Sequence, residues 1–90
     1  MNNKILVKFN FIELGISYDV FIPVNELVWK IKKLVVKAVG DLVNIPELFN
    51  EEFILLNKST FEIYNNNDII INTNIRNGME LFVITCGKNN

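Results

Sequence analysis

The chain has no histidine, which removes the side chain most often used as a general base near neutral pH and the commonest metal ligand. It has one cysteine, Cys86, so no internal disulfide can form and stability must come from the core, as suits a reducing compartment. Without a histidine to generate its thiolate, Cys86 reads as a surface or edge cysteine and not as a nucleophile. The four glycines, Gly15, Gly40, Gly78 and Gly87, stand apart from one another as turn or cap residues, so no phosphate cradle is formed. Long apolar runs are missing too: Ile5-Leu6-Val7 is cut by Lys8, far short of a signal-peptide core or a spanning helix. Nor is there an excess of either charge. Nine Lys and Arg against ten Asp and Glu give a net charge of −1, with no basic footprint for nucleic acid. The adjacent Glu51 and Glu52 would point to opposite faces of a strand and cannot share a proton. These absences lead to a cytoplasmic protein that is not an enzyme, inserts in no membrane, and has no cofactor or metal.

What is present is a core. Ninety residues, half of them apolar, support one domain that buries roughly 60–65% of its unfolded surface, with no room for a second. We expect a single domain over residues 1–90, a core at about 4–85, and a short flexible tail at 86–90. Residues 4–11 alternate, Ile5, Val7, Phe9 and Phe11 against Leu6, Lys8 and Asn10, and the alternation resumes with Ile16, Tyr18, Val20 and Ile22 inward. These runs predict an antiparallel hairpin. Pro23 ends it, Asn25 is a natural helix N-cap, and a helix is expected at about 26–39 with Gly40 as its stop. Its core stripe is Leu27, Val28, Ile31, Leu34, Val35, Ala38 and Val39. A connector follows, with Ile45, Leu48 and Phe49 against the core. Then come a third strand at 52–56, a short fourth at 61–64, the flexible Asn-rich stretch 64–68, a helical turn within 69–75, and a final strand holding Leu81-Phe82-Val83-Ile84. The order predicts an α+β β-grasp: a mixed four- to five-stranded sheet wrapped across one main helix, with first and last strands parallel at its centre.

In that order the chain resembles ubiquitin-like proteins from Lys4 to about Ile84. Lys4-Ile5-Leu6-Val7-Lys8 is similar to ubiquitin's opening strand, Ile22-Pro23-Val24-Asn25 to its strand-to-helix junction, and Asn74-Ile75 with Leu81 and Val83 to its end. It resembles more closely the YukD/EsaB family of the type VII (WXG100, ESX-like) secretion systems of low-GC Gram-positive bacteria. Asn57-Lys58 after an apolar strand, the Ile75-Arg76-Asn77-Gly78 turn and the lack of a terminal diglycine carry this likeness. Met79 departs from the acidic residue that family often has there. The resemblance implies a non-catalytic accessory component at the cytoplasmic side of a secretion machine, with protein partners that include membrane secretion components.

With Phe53, Leu55, Leu81 and Val83 turned to the helix, Ile54, Phe82 and Ile84 point outward. In ubiquitin-like folds that sheet face is the usual binding patch, so these three become candidate recognition residues, flanked by Leu6 and Lys8. Trp29 is a second candidate, since it and Val36 fall beside Lys32 and Lys33; its alternative role is to fold over the helix edge onto the connector at 45–49. The expected protein is a monomer or weak homodimer that binds through the outer sheet face. The alternatives are a generic ubiquitin-like adaptor, and a C-terminally activated modifier or sulfur carrier, which the ending Gly87-Lys88-Asn89-Asn90 disfavours.

Overall fold

The computed structural model describes residues 3–86, the side chain of Phe49 excepted, so the expectations for the tail at 87–90 and for Phe49 lie outside the described residues. Four strands and one helix form: β1 (Lys4–Phe11), β2 (Ile16–Pro23), α1 (Val28–Leu42), β3 (Phe53–Asn57) and β4 (Glu80–Thr85). The sheet order is β2-β1-β4-β3, with β1 and β4 parallel at the centre and antiparallel neighbours on each side. This is the expected β-grasp order. Alternation decides the faces: Val7, Phe9, Phe11, Ile22, Leu55, Leu81 and Val83 are buried beneath Val28, Ile31, Val35 and Val39 of α1.

The Asn77-Gly78 turn aligns the two central strands. Gly78 has φ 87° while Asn77 is not left-handed, and Met79 N–H donates to the Arg76 carbonyl at 3.1 Å. That is the signature of a type II turn, where glycine meets the positive φ without a Cβ clash, and not of a hairpin's primed turn. The turn then docks on β1: Leu6 N–H donates to Asn77 Oδ1 at 2.8 Å, and Gly78 N–H donates to the Leu6 carbonyl at 2.7 Å.

The helix departs from expectation at both ends. Asn25 does not cap it; α1 begins at Val28, and its N-cap Leu27 makes no side-chain cap bond. The unsatisfied first-turn donors instead reach across the chain, Val28 N–H to the Asp68 carbonyl at 2.8 Å and Trp29 N–H to the Asn66 carbonyl at 3.2 Å. The Asn-rich stretch, expected to be a flexible loop, is thereby the cap of the helix. At the other end α1 runs through Gly40 to Leu42. Asn44, at φ 59°, ends it, with Ile45 N–H returning to the Gly40 carbonyl at 2.9 Å, the Schellman pattern with asparagine in the left-handed position. Gly40 is buried where the helix meets the turn at Pro46–Asn50, and a Cβ there would lie 3.1 Å from the Ile45 carbonyl oxygen. Packing on this flank also rotates the stripe: Val36 is buried, while Leu34 and Ala38 are exposed.

The short fourth strand does not form. Leu56 and Ile63 make one isolated bridge, because Phe61 adopts φ 62° and the Asn57 carboxamide draws Ser59 and Thr60 into a turn. The expected helical turn is present as Ile70–Asn72, with Ile70 fully buried.

Candidate functional site

Strand register places the outward side chains in rows across the sheet. One row joins Phe21 of β2 to Leu6 of β1. The next is charged: Asp19, Lys8, Glu80 and, beyond β4, Lys58, whose Nζ lies 3.0 Å from Glu80 Oε1. The Lys58 hydrogen bond is the main reason the Glu80 carboxyl is held below the usual range. The third row is Ser17, Asn10, Phe82 and Leu56, and the fourth brings Ile84 beside Ile54.

The structure therefore unites Ile54, Phe82 and Ile84 and adds three residues that sequence reasoning did not name. Leu56 pairs with Phe82 and carries Ile63 on its other side through the isolated bridge. Phe61, 66% exposed, stacks on Phe82 with ring centroids 6.1 Å apart and planes at 24°. Leu56 was legible as the residue two beyond Ile54. Phe61 was not, since no periodicity announces a left-handed aromatic residue. Leu6 stands apart from this cluster, across the charged row, and Lys8 belongs to that row and not to the apolar group.

Phe61 is held by its neighbours. A bulky residue at positive φ is strained and persists only where the surroundings over-determine it. Asn57, buried at the end of β3, supplies the determination: its Oδ1 accepts from Ser59 N–H at 2.8 Å and Thr60 N–H at 3.2 Å, and its carbonyl accepts from Phe61 N–H at 2.8 Å. Its Nδ2 donates to the Tyr64 hydroxyl at 3.0 Å, which in turn donates to Asn74 Oδ1 at 2.6 Å. Burial raises the Tyr64 phenol pKa, against the Asn57 hydrogen bond and with a smaller push from Glu62. A raised folded-state pKa means the neutral phenol's contribution is complete below the ordinary value near 10 and is lost as pH rises through the folded value. Unfolding free energy should fall above about pH 10, and the fall should be shallower in Tyr64→Phe; equal slopes in urea titrations would show that Tyr64 is not the group responsible.

Trp29 is on the other side of the molecule, on the helix. The residue is 36% exposed, with Lys30 and Lys33 ammonium groups 5.6 and 5.7 Å from the ring centroid. It lines a groove of about 180 Å³ with Lys32, Glu52 and Asn66, closed by Asn50 and Phe53. Trp29 is thus not part of the sheet-face cluster. Beside it, Lys32 reaches the Phe53 carbonyl at 2.7 Å, and burial pulls the pKa of its ammonium down.

Among the described residues no group of three or more cysteine, aspartate or glutamate side chains could hold a metal, and no helix is long and apolar enough to cross a membrane. The outer sheet face offers apolar contact framed by polar groups, the Asn10–Ser17 hydrogen bond on one side and the Lys58–Glu80 pair on another.

Compared with protein-family models and with curated proteins, the chain matches none. Solved structures are similar to it. The N-terminal ubiquitin-like domain of the 4931431F19Rik protein shares 18% identity at a TM-score of 0.72, over 100% of this chain and 82% of that one. The ubiquitin-like domain of Plasmodium falciparum Dsk2 shares 18% identity at a TM-score of 0.67, over 92% of this chain and 99% of that one. A chain of the ESX-5 inner membrane complex shares 13% identity at a TM-score of 0.75, over 97% of this chain and 22% of that one. At such identities the likeness is one of architecture: the chain has the ubiquitin-like β-grasp fold.

Proposed function

We propose that this chain is a non-catalytic, protein-binding ubiquitin-like module that works through the outer face of its sheet. The observation that carries this reading is Phe61, an exposed aromatic residue held in a left-handed conformation and stacked on Phe82. Strained residues of this kind cluster at binding and active sites, and a contiguous aromatic-aliphatic cluster suits a partner's apolar side chains. Within this reading the partner is a cytoplasmic part of a type VII secretion machine. The YukD/EsaB-like turns support that assignment, as does the similarity to a segment of an ESX-5 inner membrane complex chain.

The test is photo-crosslinking in the native cell from a benzophenone residue placed at Phe82, with Lys37 on the solvent side of α1 as the control position. The expected result is an adduct with a secretion component from position 82 alone, and an affinity lowered about 30-fold, or about 2 kcal/mol, by Phe82→Asp in a chain that still folds. Adducts from position 37 alone would move the binding surface to the helix, and adducts from 82 with unrelated cytosolic proteins would remove the secretion assignment.

A further inference from the structure

The two edges of the sheet differ. Along β3 the edge is covered: the Phe53 carbonyl accepts from Lys32 Nζ at 2.7 Å, the Leu55 carbonyl accepts from Tyr64 N–H at 3.0 Å, and Asn57 N–H donates to the Glu62 carbonyl at 2.9 Å. No described residue covers β2 in this way. Leu6 and Lys8 spend their backbone groups on the turn and β4, so the odd-numbered residues of β1 face β2. Given the register, Tyr18, Val20 and Ile22 bond to β1, while Ser17, Asp19 and Phe21 turn their N–H and C=O groups to the edge. Pro23, which has no N–H to leave unpaired, is the next edge-facing residue. No backbone hydrogen bond outside the sheet ladder involves Ser17, Asp19 or Phe21 among the described residues.

Apolar surface lies beside this edge. On α1 the flank carrying Lys32, Val36 and Gly40 meets Phe53 and Ile45 at the β3 side. The opposite flank carries Leu34, Ala38 and Leu42 at four-residue steps, and the strand order puts it on the β2 side, with Leu34 50% and Leu42 66% exposed. An occupant of the edge must therefore be an extended strand with apolar residues on the helix side.

We propose that the occupant is β2 of a second copy, paired antiparallel about a two-fold axis at Val20 to give a continuous eight-stranded sheet. β2 has the required alternation, with Tyr18, Val20 and Ile22 on the helix side. Charge selects the register. An axis at Asp19 would set Asp19 against its own symmetry mate, whereas the axis at Val20 sets Asp19 opposite Phe21 of the second copy and Tyr18 opposite Ile22, using nearly the whole strand. Both copies then present their outer faces on the same side. The two Phe82 positions lie five strand spacings of about 4.8 Å apart across the sheet and, because Phe82 registers through Asn10 with Ser17, six residues of about 3.3 Å apart along it, roughly 31 Å in all. If the Phe82 reading holds, a partner with two docking segments gains avidity from this spacing; the dimer itself does not depend on that reading.

Sedimentation equilibrium of the full chain from micromolar to millimolar concentration tests the proposal. The mass should rise towards twice the monomer. Phe21→Asp, at a side chain 63% exposed and therefore compatible with the fold, should weaken the dimer roughly tenfold by facing Asp19 across both symmetric contacts. Phe21→Lys should not weaken it, and Asp19→Lys combined with Phe21→Asp should restore it. A monomer throughout, equal weakening by Phe21→Asp and Phe21→Lys, or a dimer abolished by Phe82→Asp would each overturn the arrangement.

Discussion

Phe9→Ala is expected to lower the unfolding free energy by about 3–5 kcal/mol, the range for removing a buried phenylalanine and leaving its cavity. Phe9 is fully buried on a central strand, registered with Tyr18 on β2 and Leu81 on β4, so the surrounding backbone is hydrogen-bonded on both sides and has little freedom to collapse into the space. A chain of this length has roughly 5–13 kcal/mol in all, and the variant should therefore show a large unfolded population well below the wild-type urea midpoint. The control is Phe21→Ala, an aromatic residue on the other face of the same hairpin, which should change the monomer's stability by less than about 0.5 kcal/mol. A larger loss from Phe21→Ala than from Phe9→Ala, measured by urea denaturation at low protein concentration with unchanged m-values, would mean that the faces of the hairpin are assigned the wrong way round.

Asn57→Ala should cost about 2–3 kcal/mol, an unusual amount for one asparagine. Asn57 and Tyr64 are both buried, and the carboxamide is the polar group that links them to the turn. It accepts from two turn N–H groups and donates to the Tyr64 hydroxyl. Alanine leaves those turn donors to find water and opens space beside Tyr64. The effect on the site should be larger than the stability loss suggests. Without the carboxamide, only the backbone bonds from Phe61 N–H to the residue 57 carbonyl and from residue 57 N–H to the Glu62 carbonyl oppose the strain at φ 62°, so the Phe61 ring should leave Phe82. Loss of ring-to-ring nuclear Overhauser contacts between Phe61 and Phe82, with the sheet intact, is the expected signature. Tyr64→Phe should cost about 1 kcal/mol, and its effect should not add to that of Asn57→Ala, because the two share a hydrogen bond. Additive losses, or a Phe61 ring that stays in place, would show that the turn holds itself.

Both variants bear on what could be read before the fold was known. Period-two alternation in β1 and β2 was enough to name Phe9 as core and Phe21 as surface, because a strand's side chains alternate whatever the strand pairs with. The same rule assigned Ile54, Phe82 and Ile84 to one face. The helix was legible in place but not in rotation or ends. Asn25 is a good cap in isolation, yet the carbonyls of Asn66 and Asp68 supply the cap, and sequence carries no sign of acceptors forty residues away. Gly40 reads as a stop but serves close packing against Ile45. Phe61 was missed for the same reason: its backbone conformation is imposed by Asn57 and Tyr64 and opposes its own propensity.

The sequence by itself determined the order of the four strands and the main helix that form, the inward face of each of these strands, the absence of histidine, and the Asn77-Gly78 turn. Each of these follows from local geometry or composition. Only the tertiary structure decided which apolar residues form one surface, since that depends on register between strands that are distant in the chain. It joined Phe82 to Leu56, Phe61 and Ile63, left Leu6 across a charged row, covered one sheet edge with Lys32 and Tyr64, and left the outer backbone groups of Ser17, Asp19 and Phe21 uncovered by any described residue.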